Sequence, residues 1–163
     1  MNTATAADQG GRVYYHGFLA PHSGTFTEVK VRARSVNYVM GNAQVLIRAG
    51  LYSSNGSLIN PEPNFKISEG SVIKTMGGSL VDDQIIDVQF DSSAEVVKGD
   101  IYFVAISWTP YGFFNSISLY GTEVGNTFQS SFVWQEGAVD LPPTSSANEA
   151  VDEAFWFVIN GPE

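Results

Sequence analysis

The sequence predicts an all-β protein: an antiparallel two-sheet β-sandwich of jelly-roll-like connectivity, with an extended N-terminal arm. Three observations carry this. Apolar and polar residues alternate at period 2 in several segments. Those segments recur at spacings of about 8–12 residues between Gly, Pro and Asn turns. Helical periodicity is nowhere sustained, and Ser145–Glu153 would make at most one turn. The 163 residues, 44 % apolar and 13 % aromatic, suffice for the core of one domain, placed at residues 12–163. About 8 to 10 strands are expected in it.

Met1–Gly11, reading MNTATAADQGG, is small, polar and aperiodic, and is expected to be an extended arm, unpacked in an isolated chain. Arg12–Phe18 is the first strand of the domain, stopped by Ala20-Pro21-His22-Ser23-Gly24. In Thr25–Arg34, Val29, Val31 and Ala33 share one face, and Lys30, Arg32 and Arg34 share the other. Phe26 has the parity of the cations, so either a bulge reverses the phase near Glu28 or Phe26 covers a loop. Gly41-Asn42 turns into Ala43–Tyr52, with Val45, Ile47, Ala49 and Leu51 inward. Asn55-Gly56 predicts a hairpin turn, because both residues tolerate positive φ, and the Asn55-Gly56-Ser57 sequon is read as that turn.

Pro61 and Pro63 mark a rigid loop, and Phe65–Thr75 reads as one or two weak strands. Gln84–Phe90 turns Ile86, Val88 and Phe90 inward, and Lys98-Gly99-Asp100 is a turn. Ile101–Trp108 is apolar on both parities. Such a strand needs cover from the sandwich core on one side and from a loop or another subunit on the other. Ser116–Tyr120 and Thr127–Trp134 are short strands, and Ala154–Ile159 is again two-sided through Phe155, Trp156, Phe157 and Val158. From these two segments Tyr102, Val104, Ile106, Trp108, Trp156 and Val158 are the candidate interface residues.

With 8 Lys and Arg against 17 Asp and Glu, the chain carries −9. Every basic residue lies at or before Lys98, so the segment beyond is purely acidic. Such a field repels phosphate backbones and argues against nucleic acid as a partner. No apolar run approaches the roughly 20 residues that cross a bilayer, so no membrane partner is expected. The basic face of Lys30, Arg32 and Arg34 is either solvated or meets the acidic C-terminal half of a neighbouring copy. The absence of cysteine removes disulfides, thiolate nucleophiles and cysteine metal sites together, and Met1–Gly11 lacks the basic and apolar regions of a secretory signal.

The chain has no Gly-x-Ser-x-Gly elbow, no His-Glu-x-x-His, no Walker loop and no dinucleotide fingerprint. Its two histidines, His16 and His22, are read as structural. Asp82, Asp83, Asp87 and Asp91 lie in one stretch but lack EF-hand spacing, so a solvated loop is preferred to a calcium site. A glycosidase would need two carboxylates facing one cleft, a pairing that 17 acids supply by chance in many folds. No catalytic residue, cofactor or metal is therefore expected. The aromatic run of Trp108, Tyr111, Phe113 and Phe114, broken by Pro110 and Gly112, packs over the core, contacts a subunit or stacks on sugar rings. Tyr111, Phe113 and Phe114 are its candidate ligand or partner residues.

Four segments resemble, in order, the parts of one β-sandwich module. Gly17-Phe18-Leu19-Ala20-Pro21-His22-Ser23-Gly24-Thr25-Phe26-Thr27-Glu28-Val29 is similar to the module's opening, in which Ala-Pro and Ser-Gly-Thr lead into an alternating strand. Ala49-Gly50-Leu51-Tyr52-Ser53-Ser54-Asn55-Gly56-Ser57-Leu58-Ile59 resembles its Leu-Tyr-Asp-x-x-Gly hairpin, with Ser53 in place of the aspartate. Val97-Lys98-Gly99-Asp100-Ile101-Tyr102-Phe103-Val104-Ala105 resembles its Gly-x-x-Tyr strand, and Asp140-Leu141-Pro142-Pro143-Thr144 its late Leu-Pro-x-Thr loop, before the closing strand at Phe155-Trp156.

The module these segments resemble is that of bacteriophage virion proteins, and the resemblance implies a non-enzymatic protein of the virion surface. It would be a capsid decoration or accessory protein of the cement or head-fibre kind, a homo-oligomer taken as a trimer, bound to a major capsid or tail protein. The alternative it implies is a carbohydrate-binding module of a tail or head fibre that recognises a host surface glycan. The arm is expected to dock on a neighbouring subunit or the capsid. No coiled-coil or β-helical shaft precedes the module in this sequence, which favours a small accessory protein over a long fibre.

Overall fold

A computed structural model describes residues 2–4, 12–37, 42–55, 58–77, 81–111, 115–123, 132–136, 140–147, 149–150, 153–155 and 157–161. Their strands are β1 (Asn2–Ala4), β2 (Arg12–Leu19), β3 (Gly24–Asn37), β4 (Asn42–Asn55), β5 (Glu62–Gly77) and β6 (Val81–Val96). There follow β7 (Ile101–Tyr111), β8 (Asn115–Glu123), β9 (Phe132–Glu136), β10 (Glu149–Ala150), β11 (Glu153–Phe155) and β12 (Phe157–Asn160). The two antiparallel sheets of the predicted sandwich are present. One has the order β10-β9-β2-β7-β4-β5. In the other, β3 pairs with β6 along one edge and with β12 and β8 along the opposite edge, and β1 and β11 pair with β8. The strands beyond the expected number include β1, β10 and β11, which are too short to show a period.

The long strands exceed their sequence boundaries because bulges carry the ladder across breaks in alternation. In β3 the register against β6 shifts between Phe26 and Glu28, which turns Phe26 into the core although it has the parity of the cations. Of the two alternatives open at Phe26, the bulge is therefore the one adopted. In β4 two shifts, between Leu51 and Tyr52 and between Tyr52 and Ser54, extend the pairing with β5 to Asn55 opposite Glu62. The hairpin predicted at Asn55-Gly56 thus exists, but its connection runs over residues 56–61 instead of two residues. Gly99, with φ of 88°, makes the predicted turn into β7.

The interior is filled by the inward parity of each sheet: Val29, Val31 and Ala33 from β3, Ile86 and Val88 from β6, and Val45, Ile47, Ala49 and Leu51 from β4. Strand β7 contributes Tyr102, Val104, Ile106 and Trp108 to the same cluster, and the Trp108 ring stacks on Tyr14 at 5.4 Å. This corrects the sequence expectation for those four residues. They were candidates for a subunit interface, yet both sheets of a single chain bury them, and the opposite parity of β7 faces away from the core. The segment expected as an arm also differs in part, since Asn2, Thr3 and Ala4 pair with Gly121, Tyr120 and Leu119 of β8. Residues 5–11 lie outside the described residues.

Along one side the two sheets are drawn together by β5 and β6. The Ser68 hydroxyl donates to the Ser92 carbonyl, and Gly70 lies against the Gln89 backbone so closely that a Cβ would overlap its carbonyl. Gly70 is needed there for backbone approach. Gly70→Ala is expected to cost ~3 kcal/mol or more, since both obstacles are backbone. Gly24→Ala, whose Cβ would meet only His22 Nδ1 at 3.8 Å, should change stability by less than about 0.5 kcal/mol. Urea unfolding of the two variants checks the difference.

Candidate functional site

The outward parity of β7 explains the rest of the molecule. Phe103 and Ala105 join Val13, Tyr15 and Tyr52 in a second apolar cluster on the outer face of the β2-β7-β4 sheet. Its cover is a strap of the same chain, residues 140–147, which inserts Leu141 into the cluster and leans Ala147 on it. Of the two covers the sequence left open, loop or subunit, the loop is present. The strap is fixed mainly by backbone. Lys66 N donates to the Pro143 carbonyl and Ser145 N to the Asn64 carbonyl, each at 2.9 Å. The Lys66 ammonium donates to the Leu141 carbonyl at 2.9 Å, and Arg48 pairs with Asp140 at 3.0 Å. Beneath it the Tyr15 and Tyr52 rings meet edge-on at 5.1 Å, and the Tyr52 hydroxyl donates to the Pro142 carbonyl.

Burial raises the pKa of Tyr52, with the Tyr15 hydroxyl and the Glu69 carboxylate adding to it, and burial raises that of Tyr15 against hydrogen bonds to Ser145 and Tyr52. Both phenols stay protonated, and the Tyr52 hydroxyl is the donor that holds the strap at Pro142, which is a structural task. Gly50 leaves the room the strap needs, because a Cβ there would come within 2.9 Å of both Leu141 Cδ1 and the Ser68 carbonyl.

Among the described residues, an open surface lies at the end of the sandwich where three connections converge. Ala20 N donates to the Asp100 carbonyl and Gly99 N to the Ala20 carbonyl, each at 2.9 Å, so the β2–β3 and β6–β7 turns are tied to each other. Lys98 N donates to the Ser23 hydroxyl, and Val97 N to the Tyr102 hydroxyl, each at 2.9 Å. Beside them the end of β4, where Ser53 pairs with Tyr102, and the β4–β5 connection complete a cleft of about 500 Å³. Ser53, Ser54, Leu58, Gly99, Asp100, Ile101 and Tyr102 line it. Sequence reasoning assigned Ser53, Ser54, Gly99 and Asp100 to turns and Ile101 and Tyr102 to a strand, and missed the cleft, because only the tertiary meeting of the three connections creates it.

The basic face resolves differently. Lys30 pairs with Asp87 at 3.1 Å and Arg32 with Asp83 at 3.0 Å, across the β3–β6 ladder. The cations and the aspartate stretch, separate in the sequence, are each other's cross-strand partners. Glu28 accepts from Asn160 at 2.9 Å and from Gln89. Those bonds, the Asn160 bond first, hold its carboxyl below the ordinary value, and the Asp87 hydrogen bond holds Lys30 above its own. Among the described residues no group of three or more His, Asp or Glu side chains could hold a metal ion.

His16 is buried on the core side of β2, with its ring 5.8 Å from that of Phe157, and desolvation pushes its pKa down to about 3. Val158 of β12 is 37 % exposed, and its backbone pairs with Lys30. Tyr111 ends β7 opposite Gln44. Trp156, Phe113 and Phe114 lie outside the described residues. No protein-family model matches this chain, and no curated protein matches it.

Two outcomes are expected. Leu141→Ala should cost about 2–4 kcal/mol by emptying the outer cluster, and Tyr52→Phe about 1 kcal/mol through the lost hydrogen bond, both read from denaturant midpoints. A neutral buried His16 favours the folded state only while unfolded histidine is neutral too. Stability is complete above the ordinary value of about 6.5 and falls by about 1.4 kcal/mol per pH unit below it, down to the folded value. Unfolding midpoints measured from pH 7 to pH 5 should therefore drop, and His16→Leu should flatten that slope; an unchanged slope in the variant would exclude His16 as its cause.

Proposed function

We propose that this chain is a non-enzymatic structural protein of a bacteriophage particle surface, a decoration or accessory protein of the cement or head-fibre kind that binds the assembled shell. The observation that supports this reading is the meeting of the four segments that carry the resemblance. The Ala20–Ser23 turn bonds the Val97–Asp100 turn, the Leu51–Ser53 end of β4 pairs with Tyr102–Val104, and Pro142 accepts from Tyr52. Segments far apart in sequence thus form one interlocked unit, as the signature of a shared module would.

A protein that binds the completed shell and not its free subunits stabilises the shell by mass action, and this role needs no catalytic group. The net charge of −9 directs the chain to protein surfaces of opposite sign. In this reading a trimer forms without β7, since both faces of that strand are covered within one chain.

Co-sedimentation with purified phage particles, with light scattering on the same preparation, tests the proposal. The protein is expected to pellet with intact particles and to saturate at a fixed copy number. A chain that stays in the supernatant at every ratio overturns it. Deletion of residues 1–11 should leave a folded domain, because β2 to β12 hold both sheets, and should weaken attachment to the particle. Undiminished attachment would remove the arm from the binding mechanism.

A further inference from the structure

The open end of the sandwich gathers aliphatic side chains where a soluble surface ordinarily scatters them. Leu19, Leu58 and Val97 are 58 %, 71 % and 57 % exposed, and Ile59 follows at 84 %. Leu19 pairs with Ile101, which lines the cleft. Val97 is bonded through its amide and its carbonyl to Tyr102 and Asp100, which line it too. Within the cleft the Asp100 backbone is fully engaged, with its N–H on Val97 and its carbonyl on Ala20, while its exposed carboxylate pairs with none of the described residues.

We infer that this cleft is the docking site for a protein segment that presents an apolar side chain next to a lysine or arginine. The apolar group would fill the space between Leu58 and Ile101, and the cation would reach the Asp100 carboxylate. Charge complementarity selects this occupant. The chain carries −9, and Lys30 and Arg32 of its basic face are already matched by Asp87 and Asp83, so what it offers a partner is a negative field. A second copy, itself at −9, is disfavoured as the occupant of this cleft, so any oligomer forms through other faces. The exposed side chains at its border, Leu19, Leu58 and Val97, are aliphatic, and the aromatic on the lining, Tyr102, is buried, whereas sugar rings stack on exposed aromatic faces. The inference rests on the proposed attachment to a shell and adds the position and chemistry of the contact.

The probe is a synthetic acetylated and amidated peptide, Ala-Leu-Lys-Leu-Lys-Ala, titrated into the ¹⁵N-labelled full chain, with the same peptide carrying Glu for Lys as control. Amide shifts are expected at Leu19, Val97, Gly99, Asp100 and Ile101 with the lysine peptide only. Leu58→Ser and Asp100→Asn should each weaken binding about tenfold, as expected of contacts at the centre of an interface, and Ile85→Ser on the outer face of β6 should leave it unchanged. No shifts at this end, equal shifts with the glutamate peptide, or a self-association that Leu58→Ser abolishes would overturn the inference, the last by assigning the end to a second copy. Particle co-sedimentation separates the two readings. Attachment that survives both Leu58→Ser and Asp100→Asn overturns the docking site and leaves the proposed function standing. Parent protein that binds the lysine peptide but no particle overturns the function and leaves the site.

Discussion

The structure depends on a strand that is apolar on both faces. An amphipathic strand in a two-sheet sandwich is complete once its inner parity is buried, and water can have the other side. Strand β7 is not completed that way, since Phe103 and Ala105 face outward as surely as Val104 and Ile106 face inward. Leaving them wet would forgo roughly 25 cal/mol for each Å² of apolar surface. The chain meets this by folding residues 140–147 back across the sheet. That demand explains several otherwise unrelated residues: the glycine at 50, which makes room for Leu141, the buried phenols of Tyr15 and Tyr52, and the long stem of Lys66 that ends on the Leu141 carbonyl. Gly50 and Tyr15 pair with Ala105 and Tyr52 with Phe103, whereas Lys66 lies one strand removed on β5, yet each is fixed by what β7 exposes.

Alternation made the inner faces of β3, β4 and β6 legible from sequence, because the period of 2 is a local property and Val29, Val31, Val45, Ile47, Ile86 and Val88 all keep to it. The bulge at Phe26 was legible too, as a break in phase, though only the ladder with β6 decides between a bulge and a covered loop. The two apolar parities of β7 were visible, but which of them faced the core was not. With hydrophobic side chains on both sides, the strand itself carries no signal of direction, and the deciding information sits about 35 residues away in the Leu141 strap. The interface assignment of Tyr102, Val104, Ile106 and Trp108 failed for that reason. The cleft at Asp100 was not legible at all, since its walls come from three connections whose meeting is a tertiary fact.

Charge is organised by the same separation of local from distant information. Lys30, Arg32, Asp83 and Asp87 look like two monopoles in the sequence, one basic and one acidic. In the sheet they are a ladder of neighbours that largely cancels its own field. Such exposed pairs add little stability individually, and their effect is better understood as removing a basic patch from the surface. With that patch neutralised, the net charge of −9, to which residues 99–163 contribute no basic side chain, sets the sign of the long-range field.

The residues that carry the family resemblance have evident structural duties. Ala20 and Gly99 exchange turn contacts through their backbones, Tyr52 holds Pro142, and Leu141 seals the outer cluster. A pattern composed of such residues specifies a scaffold, and the scaffold alone does not specify a partner. Partner choice has to reside in positions the scaffold leaves free to vary. At this end of the molecule those are the side chains of Leu19, Leu58, Val97 and Asp100, of which Leu19, Val97 and Asp100 are held in place by backbone contacts their own chemistry does not determine. The division is a physical one: the turn backbones fix where the cleft is, and the exposed aliphatic groups with one carboxylate fix what fits it.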